Sequence, residues 1–167
     1  MFTISEIDEV LSAVGADNPN PRSIFSYRKN KLSYKLSRID DNGKRGAAVE
    51  LFAKKIFERQ NKKVVHIGGR HPFDMMVGRC RVEIKSSLAT ASVVGGQVRY
   101  SYQFHNIKPE NFDIIVFAFI SPEGLQMRQM SRAKLQKYLV GSRRYNSGYV
   151  LSIGRTIRSS IGKLVAA

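Results

Sequence analysis

The sequence predicts an α/β (or α+β) domain in which helices flank a central mixed β-sheet, and three observations carry that prediction. Asp113 to Ile120 is continuously apolar after its first residue, as a strand buried on both faces must be. Arg45 to Gln60 carries a helical stripe of Ala48, Leu51, Phe52 and Ile56. Between them, Pro72 to Ser86 alternates with period two about Gly78-Arg79, a pair suited to a two-residue hairpin turn. At 167 residues and 43% hydrophobic content, the chain is one domain's worth with enough apolar content for a real core, and segments 18–39 and 124–167 are basic.

Taken in order, the chain opens on a capping box. Thr3 and Glu6 start a helix with Ile7, Val10, Leu11 and Val14 on its apolar side, Phe2 as a staple onto Ile7, and Gly15 as its end. Glu6, Asp8 and Glu9 make this helix acidic, a packing element rather than a DNA contact. Asp17 to Pro21 reads as a turn. From Asn18 to Ile39 the acids disappear, and Arg22, Arg28, Lys29, Lys31, Lys35 and Arg38 alternate with Phe25, Tyr27 and Tyr34. Cations for phosphates and rings for stacking suit a nucleic-acid-binding arm.

Asp40 to Gly46 reads as a loop into the second helix, which sets Glu50 among Gly46, Ala47, Ala53 and Phe57. Lys63 to Ile67 is a short strand, and Gly68 to His71 a link into the hairpin. His66 and His71 lack the spacing and the cysteine partner of a zinc site, which leaves them structural, or His71 a phosphate contact. Ser86 to Gly96, small and polar, reads as a mobile loop beside the hairpin. Gln97 to Ile107 is a strand with Tyr100, Tyr102 and Phe104 on one face and Arg99, Ser101, Gln103 and His105 on the other, continuing the polar side of the sheet. Lys108 to Phe112 makes a turn, and Leu125 to Met130 a strand neighbouring the central one. Ser131 caps a helix to Leu139 packed through Ala133, Leu135 and Leu139, and Gly148 to Ile153 is a final strand. After Glu123 there is no acid, so Arg143, Arg144, Arg155 and Arg158 mark a second basic surface.

The hairpin carries the chemistry. Its register sets Val77 opposite Cys80, Met75 opposite Val82 and Asp74 opposite Glu83, with Met75, Val77, Cys80, Val82 and Ile84 on a core face. Asp74, Met76, Arg81, Glu83 and Lys85 share the other. Two carboxylates facing each other across a sheet destabilise it unless a cation lies between them. Oxygen donors favour Mg²⁺ or Mn²⁺ over zinc. Lys85, two residues beyond Glu83, is placed to hold or activate a water beside a metal-bound phosphate. The competing view is a solvated hairpin face with ordinary charges.

Pro72-Phe73-Asp74 followed by Glu83-Ile84-Lys85 resembles the signature of the PD-(D/E)xK nucleases, the restriction-endonuclease-like superfamily. The likeness covers about residues 44–120, with Phe73 inserted in the motif. It implies a restriction-endonuclease-like core, Mg²⁺ (or Mn²⁺) held by Asp74, Glu83 and the main-chain carbonyl of Ile84, and a water positioned by Lys85. It further implies a 5′-phosphate and a 3′-hydroxyl as products. Glu50 matches the acidic residue that the family's preceding helix lends to the metal site; a surface pair with Lys54 is the alternative. Gln103 resembles a site-adjacent Gln of some members.

A net charge of +15 and a pI near 10.2 point to a polyanionic partner. No apolar run approaches a membrane span, and the first residues lack a signal-peptide layout, so the expected setting is cytoplasmic. One cysteine, Cys80, excludes an internal disulfide and reads as a small buried hydrophobe. With this charge, the resemblance implies a Mg²⁺-dependent DNA endonuclease, expected to be sequence-specific in the restriction or homing manner and to act as a homodimer or higher symmetric oligomer. A Holliday-junction resolvase and a non-catalytic nucleic-acid-binding protein are the alternatives.

Overall fold

The computed structural model describes residues 2–16, 31–94, 97–140, 144–145, 148–154 and 162–163. Among the described residues, three helices come first: α1 (Ile4–Ala13), α2 (Lys31–Ser37) and α3 (Asn42–Arg59). The capping box of α1 forms as expected, with Thr3 N–H donating to Glu6 and Glu6 N–H to the Thr3 hydroxyl. The α1 acids are taken up within the fold, Asp8 by Lys35, Glu9 by Lys55 at 3.0 Å and Glu6 by Arg59 at 2.5 Å. Helix α3 begins at Asn42, three residues ahead of the expected start. Asp41 accepts the Gly43 and Lys44 N–H groups, and this cap draws the supposed loop glycines into the first turns.

Among the described residues, ten strands follow: β1 (Val64–His66), β2 (Met75–Val77), β3 (Cys80–Leu88), β4 (Thr90–Val94), β5 (Gln97–Ile107), β6 (Ile114–Ser121), β7 (Gly124–Ser131), β8 (Arg144–Tyr145), β9 (Gly148–Ile153) and β10 (Gly162–Lys163). A 3₁₀ turn at Pro109–Asn111 separates β5 from β6, and α4 (Arg132–Leu139), capped by Ser131, follows β7. Of the segment expected as a loop, Ser86 to Gly96, the described residues 86–94 are instead the end of β3, Ala89 and all of β4, and Gly95 and Gly96 lie outside the described residues. Small polar residues have weak strand preference of their own, and pairing with β6 and β5 overrides it.

The strands form two sheets. One is mixed, in the order β1-β2-β3-β6-β7-β10, with β3 and β6 parallel and the other neighbours antiparallel. The second is antiparallel, in the order β4-β5-β9-β8. Strand β5 therefore does not extend the first sheet's polar side; it packs across it. Alternation along β6 explains the three layers. Val116, Ala118 and Ile120 face the helices with Phe52, Ala53 and Phe57, whereas Ile115, Phe117 and Phe119 face Tyr102, Phe104 and Ile153 of the second sheet. Leu135 and Leu139 of α4 close the second core as expected, but Ala133 is exposed. The result is an α+β domain whose central mixed sheet is flanked by helices.

Candidate active site

The site is built where β2 and β3 part. Their ladder runs through Val77↔Cys80, Met76↔Arg81 and Met75↔Val82, around a turn in which Gly78 takes a φ of 60°. That positive φ at the first central position is what such a turn requires. Beyond Met75 the register changes, because Asp74 N–H donates to the Val82 carbonyl at 3.0 Å instead of pairing with Glu83. The strands fork, and Ile84 N–H is left without a backbone partner across the edge. The Asp74 carboxylate accepts it at 2.6 Å. The Asp74 carbonyl in turn accepts from Ile67 and Gly68 N–H at 2.9 and 3.1 Å, so this residue is held from three sides.

Glu83 and Lys85 leave β3 on the face of the second sheet, beside Ile115 and Phe117 of β6. The expectation that this face is all chemistry is corrected here, since most of it is a second core and the charged pair lies at its margin. Lys85 Nζ meets Glu83 Oε1 at 2.5 Å, with the two side chains 22% and 12% exposed. Arg81, one alternation earlier, is bound in two-pronged fashion by Asp113, whose carboxyl that guanidinium holds down at about 2; it braces the start of β6.

Burial, then the charges of Glu83 and Glu50, push Asp74 up to about 7 against the Ile84 N–H and Lys85. Burial also raises Glu83, opposed by Lys85 and more weakly by Lys108. Three carboxylates thus feel one another in a partly desolvated fork. Glu50 does not pair with Lys54, which bonds Glu58 at 3.6 Å; its Oε2 meets His66 Nε2 at 3.0 Å on β1. Among the described residues, no three His, Cys, Asp or Glu side chains close around a point as a self-sufficient metal cluster. The oxygens on offer are the Asp74 and Glu83 carboxylates and the Ile84 carbonyl. In an extended strand the last leaves by the same edge as the Ile84 N–H that meets Asp74.

The structure brings Asp74, Glu83 and Lys85 near one another, though not with Asp74 directly opposite Glu83 as expected, and adds His66 and Lys108, which sequence spacing did not place there. Their relation to the site depends on β1 lying beside β2, and on the 3₁₀ turn after β5 lying near the start of β3. Gln103 is exposed, and only its backbone approaches β3, its N–H donating to the Ser87 hydroxyl at 3.1 Å. Lys31 is exposed on α2, while Lys35 on the same helix is engaged by Asp8. Arg144 lies in β8. Arg22, Arg28, Lys29, Arg143, Arg155 and Arg158 lie outside the described residues, as does the turn at Asp17 to Pro21.

Fold and site together define an α+β domain with two carboxylates and a lysine gathered at a strand fork. No protein-family model matches the chain, and no curated protein sequence matches it. Among solved structures it is similar to a bacterial homing endonuclease, I-Ssp6803I, with 14% identity and a TM-score of 0.44 over 65% of this chain and 74% of that one. Among the described residues no helix is long and apolar enough to cross a membrane.

Proposed function

We propose that this protein is a Mg²⁺-dependent DNA endonuclease, with Mn²⁺ able to substitute, that cuts at chosen sequences in the restriction or homing manner. The observation that supports it most is the β2–β3 fork, where Asp74, Glu83 and Lys85 meet and carboxylates crowd in a partly buried place. A protein does not gather such charges there for stability. The all-oxygen donor set fits Mg²⁺, which when bound supplies charge neutralisation for the phosphoryl oxygens.

The chain's own residues do the rest. Asp74 and Glu83, with the Ile84 carbonyl, hold the cation, and the Ile84 N–H fixes the Asp74 carboxylate in orientation. Lys85, kept beside Glu83, holds the attacking water and stabilises charge developing on the phosphate. Glu50, steadied by His66, adds negative charge from the helix side and supports the site from its outer edge. The charge of +15 draws the DNA backbone in. One such site per chain cuts one strand at a time, so a symmetric dimer is the arrangement that severs a duplex.

Plasmid DNA incubated with Mg²⁺ tests the reading. The parent protein should give discrete linear fragments, and Asp74→Ala and Lys85→Ala should each slow cutting by about 100-fold or more. Equal cutting by all three, or no cutting by the parent, sinks it. Cutting of four-way junctions with duplex left intact would assign a resolvase instead.

A further inference from the structure

The strand that bears Glu83 and Lys85 does not end at the site. Past Leu88 it turns a corner at buried Ala89, whose N–H donates to the Ile120 carbonyl at 2.8 Å, and continues as β4. Strand β4 pairs with β5 from Thr90↔Ser101 to Val94↔Gln97. The ladder of β5 with β9 starts at Tyr102↔Ile153 and runs the opposite way along β5. Among the described residues, Thr90–Val94 and Gln97–Ser101 are therefore a two-stranded antiparallel ribbon reaching past the rest of its sheet.

One face of that ribbon is polar at every position whose side chain is described. Ser92 stands opposite Arg99 and Thr90 opposite Ser101, all four exposed, and the row continues into exposed Gln103 opposite exposed Ser152. The intervening Tyr102 and Phe104 are buried in the second core, which fixes the polar set outward. Every side chain in the row donates or accepts hydrogen bonds, and the sequence has no Asp or Glu between Glu83 and Glu110. A protein partner would call for apolar anchors at the centre of such a surface. A polyanion with hydrogen-bonding edges calls for what is there.

The dimensions agree with one form of nucleic acid. Two strands about 4.8 Å apart enter a major groove about 12 Å wide. Successive residues on one face, about 6.8 Å apart, fall on every second base-pair step of about 3.4 Å. The deep, narrow major groove of an RNA duplex does not admit them.

We propose that the β4–β5 ribbon lies in the major groove of duplex DNA and reads base edges there, with Arg99 as its principal specificity-determining residue. The inference rests on the reading of the protein as a DNA endonuclease and supplies the recognition element that reading lacks. Lys85 and Ser92 are joined by a chain that spans about 23 Å at full extension. The bases read thus lie within about seven base pairs of the cut.

Binding selection on a randomised DNA duplex library without divalent cation tests this, and cleavage of the selected duplexes in Mg²⁺ is scored separately. The parent should enrich a motif, and Arg99→Ala and Arg99→Lys should both lose preference at one position by roughly ten-fold or more while the other positions persist. Lysine keeps the charge but not the two-pronged contact, so it would rescue an electrostatic role and not base reading. Equal melting temperatures keep unfolding out of the comparison. An unchanged motif in both variants, rescue by lysine, no motif from the parent, or equal binding of an RNA duplex overturns the proposal. A motif that depends on Arg99 without cleavage by the parent defeats the nuclease reading alone. Cleavage with an Arg99-independent motif defeats this inference alone.

Discussion

Asp74 carries two duties that pull in opposite directions. Its carboxylate caps a backbone N–H, which favours the fold, yet its charge is disfavoured by burial and by Glu83 and Glu50. With its pKa raised from 3.8 to about 7, the charge costs nothing below about pH 4 and its full amount above about pH 7. Asp74→Asn keeps an acceptor for Ile84 and removes the charge. It should therefore raise the melting temperature at pH 8, by at most about 4 kcal/mol of stability, and leave it unchanged at pH 4. The same variant should not cleave. Equal melting shifts at both pH values would show that the carboxylates do not strain the fork. That Asp74, Glu83 and Lys85 lie close together was legible in the sequence because a hairpin is local, but the change of register that sets Asp74 against Val82 rather than Glu83 was not. The Glu50–His66 pair was not, because residues on different elements meet only once α3 has docked on β1.

Among the elements, the strands with strong apolar alternation were legible and β4 was not. Thr90-Ala91-Ser92 has no pattern of its own and becomes a strand because β5 offers it a partner. The junction of β5 with β9 is equally silent in sequence. Between Phe104 and Ile107 the register slips by one residue, Asn106 takes a φ of 55°, and Ile107 is returned to the core. Gly148 lies against this bulge so closely that a Cβ there would sit 2.7 Å from the Asn106 Cα. Gly148→Ala should cost about 1–3 kcal/mol by displacing the bulge. Gly46→Ala in α3, where a Cβ meets nothing within 4 Å, should instead be neutral or stabilising by up to about 1 kcal/mol. Urea denaturation of the two variants decides it; similar midpoints would mean that the bulge yields without cost.

At the scale of the whole molecule, charge is unevenly spread along the chain. The acids of α1 are matched by Lys35, Lys55 and Arg59, while the sequence after Glu123 contains no acid. DNA binding should accordingly weaken steeply with salt, by about 10³-fold or more between 50 and 200 mM if at least six phosphates are contacted. Fluorescence anisotropy on a labelled duplex measures the slope, and a flat response would remove the electrostatic basis of the proposed function. Composition carries this excess of charge. It could not foretell that a second sheet would cover the face opposite the helices, because Tyr102 and Phe104 declare a buried side without declaring against what.

The parallel pairing of β3 with β6 has a kinetic consequence. Arg81 and Asp113, which close that pairing at its start, are 32 residues apart, and the β4–β5 ribbon is the chain between them. A parallel neighbour cannot be reached by a tight turn, so that intervening loop must close before β6 can dock. During refolding, helix α3 and the local β2–β3 hairpin should acquire amide-exchange protection before the amides of β3 that face β6. The backbone frame beneath Glu83 and Lys85 is thus expected to be completed later than the hairpin that carries them.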